Sequence, residues 1–89
     1  MRVQTIFLKP LIKIESIDSK GDRVFRGITE YELEMAQIGD EFSAYCDDAI
    51  CEEVLQLVGY DEEGYYATLS TYQNDMLKMK ELIIFTREG

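Results

Sequence analysis

Two short apolar runs open the chain. Val3–Leu8 and Leu11–Ile17 are each of strand length, and Pro10, which cannot donate to a ladder, breaks them apart. Asp18-Ser19-Lys20-Gly21-Asp22 is a cluster of turn formers, so Arg23–Ile28 is expected to return as the second arm of a hairpin. Thr29-Glu30-Tyr31-Glu32 then has capping-box spacing, with a hydroxyl for a free amide and a carboxylate that reaches back to the cap. The same residues alternate, Glu30, Glu32 and Glu34 against Tyr31, Leu33 and Met35, which is strand periodicity. The helix preference of Glu, Leu, Met, Ala and Gln favours a short helix that stops at Gly39.

Glu41–Cys46 reads as a strand. Asp47–Val58 predicts an amphipathic helix, because its apolar residues at 50, 51, 54, 55, 57 and 58 fall on one face at the helical period. Asp47 or Asp48 would cap it, Glu52 and Glu53 would complement its dipole, and Gly59 would end it. Asp61-Glu62-Glu63-Gly64 is an acidic turn into a strand, Tyr65–Ser70. Residues 71–80 carry two readings: a helix capped by Ser70 and Gln73, or a hairpin turning at Asn74-Asp75. Leu82–Thr86 closes as a strand beside one of the N-terminal ones. The expected class is α+β, a single domain over residues 1–89, with an antiparallel sheet of about four to six strands and one or two short amphipathic helices.

Composition narrows the function. At 46% hydrophobic the 89-residue chain is too apolar for an acidic disordered tail, and it has room for one modest core. No apolar run approaches the roughly 20 residues that span a bilayer. The first ten residues lack the apolar stretch and small-residue site of a signal peptide, so the expected location is cytoplasmic. Cys46 and Cys51 are therefore read as two core thiols, since disulfides are rare in reducing compartments.

There is no His, which removes the commonest general base and the commonest transition-metal ligand. There is no glycine-rich phosphate loop, and the Asp61–Gly64 turn lacks calcium-loop spacing. The adjacent acids at 47/48, 52/53 and 62/63 read as solvated faces. No enzyme activity, cofactor or metal is expected.

Charge is the most informative feature. The net charge is −9, which argues against direct contact with nucleic acid or an anionic membrane. Residues 1–26 carry a net +3 and residues 78–89 a net +1, whereas residues 27–77 hold 13 acids, no Lys or Arg, and all six tyrosines. Ordinary surfaces intersperse both signs. A one-signed block with tyrosines, which supply rigid amphipathic contact area, points to capture of a basic protein. Tyr45 and one of Tyr65 and Tyr66 are expected to face the core.

The expected partner-binding residues are Glu30, Glu32, Glu34, Asp47, Asp48, Glu52, Glu53, Tyr60, Asp61, Glu62 and Glu63. In its sharper form this is a small inhibitor occupying the nucleic-acid groove of a nuclease, carboxylates standing in for phosphates. Phage or mobile-element proteins that block restriction or CRISPR nucleases are of this type. The alternative is a homo-oligomerising assembly module, a homodimer included, or an immunity or antitoxin protein, since the basic N-terminal segment complements the acidic middle.

Overall fold

A computed structural model describes residues 1–17, 21, 23–45 and 51–87. Asp18–Lys20, Asp22, Cys46, Asp47 and Asp48 lie outside the described residues, as does the Tyr45 side chain whose inward direction the sequence predicts. The described chain forms β1 (Arg2–Phe7), β2 (Leu11–Ile17), β3 (Arg23–Thr29), α1 (Glu30–Met35), β4 (Glu41–Tyr45), β5 (Cys51–Tyr60), β6 (Gly64–Gln73) and β7 (Met76–Thr86).

Five strands make one sheet in the order β1-β7-β6-β5-β4. All its pairings are antiparallel except β1 with β7, where the N-terminal strand runs parallel to the last one. β2 and β3 form a separate antiparallel hairpin. The fold is therefore dominated by strands, with a single short helix among the described residues, and the α+β expectation holds only roughly.

The hairpin and α1 cover one face of the sheet. Ile12, Ile14 and Ile28 from the hairpin and Leu33 from α1 join Leu55, Leu57, Tyr65, Ala67, Leu69, Ile83 and Phe85 from β5, β6 and β7 in one core. Alternation along the strands selects these residues: cross-strand partners Leu55 and Leu69, Leu57 and Ala67, and Tyr65 and Phe85 share the inner face. Each fully buried Leu, Ile or Phe contributes about 1.5–3 kcal/mol. Gly64 allows β6 to start tight against β7, since a Cβ there would fall into the Phe85 carbonyl.

Several expectations hold. The Thr29 hydroxyl accepts from the Glu32 amide at 3.2 Å while the Glu32 carboxylate accepts from the Thr29 amide at 3.1 Å, closing the capping box. The strands at 11–17, 23–28 and 82–86 and the acidic turn at 61–63 are present. Of the two readings for 71–80 the hairpin is realised: Asn74 and Asp75 have φ of 51° and 63°, the left-handed pair of a two-residue turn whose twist matches its strands.

The clearest departure is residues 51–58, which are strand, not the second half of a helix. Their burial alternates strictly, with Cys51, Glu53, Leu55 and Leu57 inward. The helical period emerges from the sequence only when Glu53 is counted as a surface residue. Glu52 and Glu53 thus serve no helix dipole. Gly59 is not a left-handed stop either; it lies at a register shift in the β5–β6 pairing. Cys51 is buried as a core residue should be, yet it is disulfide-bonded and not a free thiol.

Candidate protein-binding surface

Three separate acidic segments meet at one end of the sheet. β5 finishes there at Tyr60, the Asp61–Glu63 turn follows, and β6 starts at Gly64 opposite the end of β7. The segment leading into β4 joins the same region, with the Gly39 amide donating to the Leu57 carbonyl and the Leu57 amide donating to that of Asp40. α1 is tied in through the Glu30 amide, which donates to the Pro10 carbonyl just beyond the end of β1. Glu32 and Glu34 on α1, Asp40 and Glu41 before and in β4, and Asp61, Glu62 and Glu63 in the turn are all exposed; Glu30 is half-buried.

Apolar side chains stand among these acids. Leu33 anchors α1 in the core, so Tyr31 and Met35, four residues apart, share an outward side of the helix. Tyr31 is 68% exposed, and Met35 and Ile38 are comparably open. Tyr60, at 61%, stands beside the acidic turn. Of these only Tyr60 is among the residues singled out from the sequence. Tyr31, Met35 and Ile38 become legible once Leu33 is recognised as the residue that sets the buried side of the helix.

The acidic turn is held in shape from within. One Asp61 carboxylate oxygen accepts from the amides of Glu63 at 2.8 Å and Gly64 at 3.2 Å, and the other accepts from the Tyr66 hydroxyl at 2.8 Å. These bonds, Tyr66 foremost, hold the Asp61 carboxyl below its ordinary pKa of 3.8, and in return push the Tyr66 phenol above 10.0. Arg87 closes the turn from outside, donating to the Asp61 and Glu62 carbonyls at 3.1 and 3.2 Å. Its guanidinium also lies 5.1 Å from the centroid of the Tyr65 ring. Asp61 is thus an organiser of the turn, while Glu62 and Glu63 project from it.

The remaining expected residues divide. Glu52 stands half-buried on the outer side of β5, away from the acidic end. Glu53 is only 3% exposed and faces the hairpin, where it accepts from the Ser16 hydroxyl, so it is no part of any contact surface. Arg26, beneath it, is disfavoured as a cation by burial and supported by Glu53 and Glu32. Glu81, fully buried on β7, has a carboxylate oxygen 3.6 Å from Arg2. The block without cations along the chain is therefore less bare in space, because Arg26 and Arg87 fold back onto its acids from the basic ends.

Among the described residues no cluster of three or more His, Cys, Asp or Glu is arranged to hold a metal ion. No helix formed by them is long and apolar enough to cross a membrane. Two grooves of about 360 and 390 Å³ meet at Leu11 and Lys13, the first also lined by Phe7 and Lys9, the second by Arg26 and Gly27. Comparison with models of protein families, with curated proteins and with solved structures finds no match to this chain.

Proposed function

We propose that this is a non-enzymatic binding protein whose acidic end captures a basic surface on a partner protein. The observation that carries the reading is convergence: acids from residues 30–34, 40–41 and 61–63 gather at one end of the sheet, with Tyr31, Met35, Ile38 and Tyr60 exposed among them. Acids serving solubility alone have no reason to collect around open apolar side chains, whereas a protein interface combines an aromatic or Met anchor with a charged rim. The charges would steer encounter and fix orientation, and the anchors would slow release.

In its sharper form the protein is an inhibitor of a nucleic-acid-binding nuclease of the restriction or CRISPR type, working in the cytoplasm. Duplex DNA presents one charge per about 1.7 Å of axis, and rows of carboxylates on α1 and on the Asp61 turn offer a comparable surface to a basic groove. Glu52 and Glu53 drop out of this reading; Glu30, Glu32, Glu34, Tyr60, Glu62 and Glu63 carry it, with Asp61 holding the turn.

The test is capture from host lysate at low salt followed by elution with rising salt, using wild type and two variants, Glu32→Lys/Glu34→Lys and Glu62→Lys/Glu63→Lys. Both variants should release a captured nuclease at lower salt, and DNA or guide RNA should compete with the wild type. Simultaneous binding of nucleic acid and this protein without mutual loss would exclude groove mimicry. Each measurement is made with and without reductant, because Cys51 is disulfide-bonded.

A further inference from the structure

We propose that the uncovered face of the five-stranded sheet is a homodimer interface, formed by a two-fold axis that runs along β6. The hairpin and α1 cover only the inner face. On the other face, Gln56, Thr68, Leu82 and Val3 form one cross-strand row, and Tyr66, Ile84 and Thr5 lie in the next. Across β5, β6, β7 and β1 these two rows hold no charge, in a chain that is 30% charged, and on the edge strand β4 the first row ends in Glu41. A solvated sheet face normally alternates to polar and charged residues. Here Val3 is 54% exposed and Leu82 and Ile84 are half-buried, with nothing among the described residues lying over them.

Charge at the margin of the face selects a second copy as the occupant. Lys80 on β7 lies in the row of Ser70 and Val54, and Glu52 on β5 lies one row further along beside Tyr72. A two-fold axis parallel to β6 sets β7 of one protomer over β5 of the other. Lys80 of each chain then approaches Glu52 of its mate, and the uncharged rows meet each other. Such a contact is isologous and closes at two copies, in the aligned sheet-on-sheet packing of β-sandwiches. The axis keeps like strand ends together, so the two acidic ends lie side by side at one end of the dimer.

Sedimentation equilibrium from micromolar to near-millimolar protein tests this. The wild type should be a dimer. Thr68→Lys, at the centre of the face, should raise the dimer dissociation constant by about 100-fold or more, since it buries an unpaired charge. Lys80→Glu should weaken the dimer and the double variant Glu52→Lys/Lys80→Glu should restore it. Circular dichroism confirms that each variant is folded; if Thr68→Lys is not, Leu82→Lys, in the same row and set over the uncharged Gln56 of the mate, gives the same reading. A wild type that stays monomeric at the highest concentration overturns the proposal, as does a dimer indifferent to Thr68→Lys or Leu82→Lys. A charge swap without rescue overturns the two-fold axis.

Discussion

The Ser16 hydroxyl donates to the Glu53 carboxylate at 2.5 Å, joining the β2–β3 hairpin to the main sheet through a buried polar contact. Both residues are buried, and the bond lies at the end of the sandwich away from Ile12, Ile28 and Leu33, so it fixes how the hairpin sits. A buried carboxylate that loses a donor bears the cost of its own desolvation. Ser16→Ala should therefore destabilise the protein by about 1–3 kcal/mol in urea unfolding, several times the cost of an exposed Ser→Ala change. A loss within error of zero would mean that the bond has no part in docking the hairpin.

The same contact explains where the sequence is readable and where it is not. Thr29 and Glu32 are three residues apart and bond to each other, so their capping box is local and legible. Glu53 is satisfied by a residue 37 positions away, and nothing near it in the chain reveals that an acid belongs inside. Counted as surface, it turns a strand with inward Cys51, Leu55 and Leu57 into an apparent helix. Arg87 follows the same logic: it meets Asp61 across 26 residues, so a block of acids along the chain is partly neutralised in space. The acidic end was legible as three segments, and only the return of β5 into β6 and the docking of α1 reveal that they meet.

Glu81 gives a pH dependence of defined sign. Burial is the main cause raising its pKa above 4.5, opposed by Arg2 at 3.6 Å and reinforced by Glu53 and Glu15. Neither of its oxygens accepts a hydrogen bond among the described residues. A carboxyl raised in the folded state contributes stability that is full below about 4.5 and is lost as pH rises through the folded value. Glu81→Gln removes this loss. The variant should gain stability relative to wild type at pH 7, and the difference should shrink as pH falls toward 4. Equal differences at both pH values, measured by urea unfolding, would show that Glu81 is not held toward its neutral form.

Asp61 has the opposite sign. Its carboxyl is lowered chiefly by the Tyr66 hydroxyl, so its contribution to stability is present above about 3.8 and is lost as pH falls through the lower folded value. Tyr66→Phe removes the leading cause and leaves the two backbone amides in place. Carboxyl-detected NMR titration should then find the Asp61 pKa moved up toward the ordinary value. An unmoved Asp61 would mean that the amides of Glu63 and Gly64 alone set its charge.

The β6–β7 turn offers a stabilising change. Asn74 and Asp75 both sit in the left-handed region, at φ of 51° and 63°, between the paired residues Gln73 and Met76. Asn tolerates that region well and Asp less so, whereas Gly adopts it without a Cβ penalty. Asp75→Gly creates the Asn-Gly pair that two-residue hairpins favour most. It also loosens the unfolded chain, which takes back part of the gain. The net expectation is a stabilisation of about 0.5–1 kcal/mol in urea unfolding, the scale of other single changes that fit a residue to its backbone conformation. Because the turn lies at the opposite end of the sheet from Asp61–Glu63, capture of a basic partner should be unchanged. A destabilised Asp75→Gly protein would mean that the aspartate makes a contact in this turn worth more than the strain of its backbone.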